Sequence, residues 1–222
     1  GDRVFCLVDP ARGRVLRTVE NPTLLQCAAG WRDGVLTVDL PECTVEGVPS
    51  PTGELLKADY WGRNAALELL DGPWAGAFSR HLGYDVRLAR SLNAGEVVYG
   101  APVTLVTTSS MRLLSEKVGR EVESARFRST FLVDTGDDEP HVEDSWVGRE
   151  LRIGGATVMV RGVVPRCAVV DVDPMTGLGD LALLHTLGGY RRGAGEINFG
   201  VDAMVTASGG VRTGDRAVLE RG

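Results

Sequence analysis

Cys167 has the setting most open to chemistry in this chain. It stands in Pro165-Arg166-Cys167-Ala168-Val169-Val170-Asp171-Val172-Asp173-Pro174-Met175-Thr176-Gly177, after a hairpin signal and before a strong turn signal. Asp173-Pro174 opens that turn, and Gly177 supplies permissive backbone. A cation facing a thiol favours the thiolate, the form that binds metal or attacks sulfur, and Arg166 is adjacent in sequence. Taken alone, the segment also reads as a buried cysteine in a strand beside a turn, because free cysteine is usually a small core residue. Cys6, Cys27 and Cys43 form no C-x-x-C pair and no zinc-like group with the histidines.

Three further groups could hold or move charge. Ala125-Arg126-Phe127-Arg128 places two arginines at alternate positions of an expected strand. Both forks then point one way and can clamp a phosphate; the alternative is a solvated strand face. Glu143-Asp144-Ser145-Trp146 gathers two carboxylates, a hydroxyl and an indole. Such a group can transfer protons or order water beside a metal, or simply be a loop anchored by a buried Trp. Thr107-Thr108-Ser109-Ser110 ends one expected strand and opens an expected helix. Its N–H groups and hydroxyls make an anion seat or a plain helix cap, with Ser109 or Ser110 as the capping residue. His81, His141 and His185 are not spaced as a metal set and read as structural or exposed.

The elements that must position these residues are mostly strands. The chain has 222 residues, 43% hydrophobic and 24% charged, enough for one large domain or two small ones. Its 29 glycines punctuate short Val-rich runs, which favours β-structure with tight turns. Strands are expected at Val4–Val8, Arg14–Val19, 35–40, 55–59, 84–88, 103–106, 131–133, 151–153, 157–160, 167–172, 199–206 and 217–219. Asp33-Gly34 and Gly154-Gly155 mark hairpins. Helices are expected over 72–82, with Pro73 near the start and Gly83 as the stop, over 111–118 and over 180–190. The pattern is β-rich α+β, a β-barrel with short flanking helices. Asn93-Ala94-Gly95-Glu96 reads as a linker, giving domains 1–92 and 93–222.

Net charge is −6 with no long Lys/Arg cluster, which argues against nucleic acid but leaves room for a small anionic ligand. No signal peptide opens the sequence and no apolar run reaches membrane-spanning length, so the expectation is a cytoplasmic protein without a membrane partner.

The order of motifs carries more than any one of them. Gly1-Asp2-Arg3-Val4-Phe5 is followed by Ala125-Arg126-Phe127-Arg128 and Glu143-Asp144-Ser145-Trp146. Gly148 to Gly154, Arg166-Cys167, Val172-Asp173-Pro174 with Thr176-Gly177, and Tyr190-Arg191 come next. Phe199-Gly200-Val201 and Gly209-Gly210-Val211-Arg212-Thr213-Gly214-Asp215 close the series. This string resembles the MOSC family, named for the C-terminal domain of molybdenum cofactor sulfurase. It is most similar to the amidoxime-reducing members, which carry an additional N-terminal β-barrel half. Here that half is expected to lack its first strands, where the family has a Lys-Ser phosphate contact. Where relatives usually read Arg-Phe-Arg-Pro-Asn, this chain has Arg126-Phe127-Arg128-Ser129-Thr130.

The resemblance implies a site for the molybdenum cofactor, with Cys167 as metal ligand and Asp144 beside the metal. It implies that Arg3 and Arg128 hold the pterin phosphate, with Thr108, Ser109, Arg126 and Arg166 contributing to the cofactor pocket. Family-level properties also include pyridoxal phosphate binding. The implied function is reduction of N-hydroxylated or N-oxide small molecules, with electrons from a separate donor protein. The alternative is a sulfur carrier or sulfurtransferase with no cofactor, in which Cys167 takes a persulfide from a cysteine desulfurase. A third reading is a non-catalytic barrel with an inert thiol.

Overall fold

A computed structural model describes residues 4–93 and 95–220 of the chain. Arg3, expected at the phosphate, lies outside the described residues. The chain divides into two compact units, residues 1–99 with 174–178, and residues 100–173 with 179–222.

The first unit contains β1 (Phe5–Asp9), β2 (Arg14–Val15), β3 (Ala28–Arg32), β4 (Val35–Leu40), β5 (Cys43–Gly47), β6 (Ser50–Tyr60), β7 (Arg63–Asp71), α1 (Trp74–Leu82) and β8 (Arg87–Ser91). Strands β1-β2-β6-β7-β8 close into a barrel, and β3-β4-β5 form a separate antiparallel sheet. Alternation builds the barrel interior: Ala65, Leu67 and Leu69 of β7 are buried at every second position, beside Val8, Val15, Ala58 and Ala89. A second core joins Leu36, Val38 and Leu40 of β4 to Trp74, Ala77 and Phe78 of α1. Helix α1 follows Pro73 and stops at Gly83, whose φ of 78° is left-handed. The expected return strand over 14–19 is only the pair Arg14–Val15, and the strand expected over 84–88 lies at Arg87–Ser91.

The second unit contains β9 (Val103–Thr107), α2 (Thr108–Val118), β10 (Phe131–Val133), β11 (Glu150–Ile153), β12 (Ala156–Pro165), α3 (Leu183–Gly188), β13 (Arg192–Gly193), β14 (Glu196–Ala207) and β15 (Ala217–Leu219). The strand order is β10-β9-β14-β12-β11-β15, with β13 added to β14, in an almost closed, barrel-like sheet. Helix α2 crosses from β9 to the parallel β10, and the other pairings are antiparallel. Register shifts between β12 and β14 at Val160/Gly162 and Val163/Pro165 bend the pair and aim its end at the Cys167 loop. The β-rich α+β architecture with short helices is therefore as the sequence indicates.

Two segments depart from it. Cys167–Val172, a run of β-formers, is a 3-10 turn over Ala168–Asp171. Val170 is buried in the core with Phe127 and Phe199, and Asp171 Oδ1 accepts the N–H of Leu184 at 2.7 Å at the start of α3. Those tertiary demands override the β propensity of the run. Likewise Ser124–Phe127 is a 3-10 turn ending in left-handed Arg128 (φ 49°), so Arg126 and Arg128 are not alternate residues of a strand.

Gly200 sits at the centre of this unit with φ 72°. A Cβ there would lie 2.4 Å from the Leu105 carbonyl and 2.8 Å from Val106 Cγ1, so only glycine lets β14 approach β9 this closely. Gly200→Ala should destabilise the protein by about 2 kcal/mol or more, read as a lower denaturation midpoint at unchanged slope. A midpoint equal to wild type would show that the strand contact is not as tight as described.

Candidate functional site

Strand β12 ends at Pro165, and the next residue is gripped by β14. The Arg166 N–H donates to Ile197 O at 2.8 Å, and its Nε donates to Phe199 O at 2.8 Å. Its Nη1 donates to Phe127 O at 3.0 Å, and the guanidinium lies 5.2 Å from the Phe127 ring centre. Phe127 stacks on Phe199 at 4.5 Å. Nη2 is closed to solvent and has no hydrogen-bond partner among the described residues. The groups against this cation are thus two carbonyls and a ring, and no carboxylate pairs with it among the described residues. Burial pulls the Arg166 guanidinium down to about 10, an effect that Cys167 opposes. Uncompensated buried charge is costly, so such an arginine is a natural seat for an anionic atom. Cys167 follows it, half-buried, in extended conformation at the start of the 3-10 turn. Burial pushes Cys6 and Cys27 up to about 12 and about 11, with Glu42 adding to the effect on Cys27. Cys43 is exposed.

The Glu-Asp-Ser-Trp segment forms a 3-10 turn over Val142–Trp146 that separates its two carboxylates. Glu143 is fully buried. It accepts hydrogen bonds from the hydroxyls of Thr107 at 2.8 Å and Ser110 at 2.8 and 2.9 Å. Its negative charge lies at the N-terminus of α2, where the helix dipole favours it. Asp144 faces elsewhere and pairs with Arg191 Nη2 at 2.8 Å. Arg191 Nε donates in turn to Asn198 O at 3.1 Å. Successive carbonyls of β14 thus hold both arginines, 197 and 199 taking Arg166 and 198 taking Arg191.

His141 precedes this turn with φ 66°, and its N–H donates to Ser110 Oγ at 2.8 Å. Its ring lies edge-on to Phe199 and tilted against Tyr190, both at 5.7 Å. Neither ring nitrogen has a partner among the described residues, and neither does the Tyr190 hydroxyl. Burial lowers His141 to about 4, Arg191 adds to this and Asp144 opposes it. Burial also raises Tyr190, against Arg191. Of five buried side-chain polar atoms without partners among the described residues, four belong to Arg166, His141 and Tyr190, of which Arg166 and His141 contact Phe199 and Tyr190 contacts His141. That concentration marks the ring's surroundings as incomplete. Sequence reasoning read His141 as structural or exposed, and only its orphaned ring nitrogens distinguish it.

The remaining expected residues are engaged within the chain. Thr107, not Ser109 or Ser110, caps α2, accepting the Ser110 N–H. The Thr108 hydroxyl donates to Asp134 at 3.0 Å and accepts from Thr135 N–H at 3.1 Å. Ser109 Oγ accepts from the Thr135 hydroxyl at 2.9 Å. These bonds hold the 134–140 loop on α2. Arg126 is buried in a two-pronged pair with Asp180 (2.7 and 2.8 Å) and a further bond to Glu123 at 3.0 Å. Arg128 is exposed. Thr130 accepts the Thr104 N–H at 3.1 Å and stitches the loop to β9. Among the described residues, no group of three or more His, Cys, Asp or Glu is gathered to hold a metal ion, and no helix is long and apolar enough to cross a membrane.

The MOSC domain profile matches residues 79–218, more than half of the chain. The chain belongs to the MOSC domain family. Among curated relatives, this MOSC protein is 36% identical over 83 residues to a molybdenum cofactor sulfurase of Solanum lycopersicum, covering 36% of this chain and 10% of that protein. It is 32% identical over 124 residues to mitochondrial amidoxime reducing component 2 of Macaca fascicularis, covering 52% of this chain and 36% of that protein. The matches thus span about a third or less of those relatives' length. A solution structure of a Bordetella bronchiseptica protein aligns at a TM-score of 0.31 with 16% identity, over 43% of this chain and 75% of that one, too distant to carry an argument.

The His141 imidazole stays neutral down to about 4 when folded but takes a proton at its ordinary 6.5 when unfolded. The unfolded state binds more protons between those values, so His141 erodes stability as pH falls from about 6.5 toward 4. Wild type should therefore lose melting temperature relative to His141→Phe across that window. A difference between the two that is constant with pH would remove His141 from the account.

Proposed function

We propose that this MOSC protein binds the molybdenum cofactor, with Cys167 as the protein's ligand to the metal, and reduces N-hydroxylated or N-oxide small molecules. The observation that carries the reading is the buried Arg166 Nη2. It is a cationic donor with no partner among the described residues, one residue from a half-buried cysteine. An unpaired buried cation suits an anionic atom. A soft thiolate suits molybdenum bound otherwise by sulfur and oxygen. When bound, the cofactor supplies two-electron redox chemistry. Arg166 seats an anionic atom and favours the thiolate form of Cys167. Asp144, fixed by Arg191, orders water and passes protons. Electrons come from a separate donor protein. A cytoplasmic setting belongs to the same proposal, because a working thiol needs reducing surroundings.

The matches to proteins named molybdenum cofactor sulfurase favour a second reading. Here Cys167 carries a persulfide received from a cysteine desulfurase, and no cofactor is held.

Expression in a host that makes the cofactor, followed by elemental analysis and released-pterin fluorescence, separates the two. Near-stoichiometric molybdenum and pterin are expected in wild type and in Cys6→Ser, Cys27→Ser and Cys43→Ser, with the metal lost in Cys167→Ala. A well-folded wild type with neither metal nor pterin sinks the first reading. A one-sulfur mass gain on Cys167 after incubation with a desulfurase then establishes the second.

A further inference from the structure

The small sheet of the first unit has an edge left unpaired among the described residues. Strand β3 pairs with β4 on one side, from Ala28↔Asp39 to Arg32↔Val35, and with no described strand on the other. All 5 of its residues are exposed. Free edges are commonly blunted by lysine, proline, a bulge or extreme shortness. In the second unit's sheet the edge strands β10 and β15 have 3 residues each. Strand β5, the far edge of the small sheet, carries Glu46 and leads into Pro49. Strand β3 has none of these devices: it runs Ala-Ala-Gly-Trp-Arg in regular register, with its one charge at the end.

The turn between β3 and β4 fixes which backbone groups face the open side. Asp33 and Gly34 both have positive φ, 52° and 82°, as a two-residue hairpin turn requires, so Arg32 and Val35 form its closing hydrogen-bonded pair. Alternation then turns the N–H and C=O of Ala28, Gly30 and Arg32 toward β4, and those of Ala29 and Trp31 toward the open edge. The side chains divide in the same way. Ala29 and Trp31 share a face with the core residues Val38 and Leu36, and Trp31 meets the Phe5 ring at 5.0 Å while staying 45% exposed. Ala28 and Arg32 share the other face with Thr37, Asp39 and Glu46. Among the described residues Arg32 has no carboxylate partner and Asp39 has no cation; Asp39 accepts the Thr44 hydroxyl at 2.6 Å.

We propose that two copies of this chain join through β3, antiparallel, about a two-fold axis at Gly30. The register is self-complementary in hydrogen bonding, size and charge. Ala29 lies opposite the second copy's Trp31, so the outward N–H and C=O groups of each find partners on the other. Small residues meet large ones, Ala29 beside Trp31 and Ala28 beside Arg32, with Gly30 against itself on the axis. Arg32 extends across the methyl group of the second copy's Ala28 to Asp39 on the next strand, which pairs two charges left single within one chain. A one-residue shift would turn the core face of one copy to the solvent face of the other, and an in-register parallel pairing would set Arg32 beside Arg32. The contact is one short strand and one tryptophan, small among stable interfaces, so the dimer is reversible and depends on concentration.

Sedimentation equilibrium of the full chain, from micromolar to near-millimolar concentration, reads the association directly. A monomer–dimer equilibrium is expected, and it should weaken as salt rises. Ala29→Pro removes an N–H that faces away from β4, so it should keep the wild-type melting curve and remain monomeric. Arg32→Glu and Asp39→Arg should each weaken self-association about tenfold or more, because each sets like charges together. Mixed in equal amounts, these two variants should pair at close to wild-type strength. In the mixed dimer the introduced carboxylate meets the introduced guanidinium, and the native Arg32 meets the native Asp39. Damage to the fold of either variant could not be repaired by mixing, so this result decides the matter even if Ala29→Pro fails to fold. A wild-type chain that stays monomeric throughout, a dimer indifferent to a well-folded Ala29→Pro, or charge variants that do not pair when mixed overturns the proposal.

Discussion

The guanidinium of Arg166 is the interaction on which the second unit turns. It donates to Phe199 O of β14 and to Phe127 O of the preceding turn, while the Arg166 backbone N–H donates to Ile197 O, so one residue joins the end of β12 to both. The 3-10 turn that carries Phe127 has no ladder pairing of its own to hold it to β14. A planar cation with several donors is the side chain suited to collecting carbonyls from two separate segments. The same geometry leaves one donor over, and that surplus is what gives the Cys167 surroundings their character. Gly200 belongs to this constraint, because its missing side chain lets the Leu105 carbonyl and the Arg166 guanidinium share one space.

A second, independent fastening sits at the start of α2. Buried Glu143 pins the 141–146 turn to Thr107 and Ser110. The pair Glu143-Asp144 thus divides its labour: the first carboxylate is structural and the second, with Arg191, faces the region of Phe199. Two carboxylates adjacent in sequence cannot serve one metal from a 3-10 turn that points them apart. Thr108 and Ser109 are spent similarly, on the 134–140 loop, and Arg126 on Asp180. Among the described residues, Arg166 Nη2, the His141 ring nitrogens and the Tyr190 hydroxyl are left without hydrogen-bond partners.

The two-sided character of that remainder bears on how the family's fold is used. Arg166 and Cys167 bring a cation and a soft thiol, while His141 and Tyr190 bring an imidazole and a phenol beside the Lys117 ammonium. A shared fold does not by itself fix a reaction, and the difference between a cofactor enzyme and a sulfur carrier lies in what occupies these two sides.

The sequence by itself determined the β-rich class, the hairpins at Asp33-Gly34 and Gly154-Gly155, the first helix between Pro73 and Gly83, and Cys167 as the thiol to watch. These are legible because they depend on local backbone preference and on apolar alternation, both written within a few residues. Only the tertiary structure decided that Ala168–Asp171 turns instead of extending, since Val170 answers to a core and Asp171 to a helix start that lie outside the segment. It alone decided that Arg126 is consumed by Asp180, 54 residues away, while Arg166 is left with a donor to spare. And it alone singled out His141, whose sequence neighbours resemble those of any acidic loop. Whether a polar atom has a partner is a property of what folds against it, and no local pattern records that.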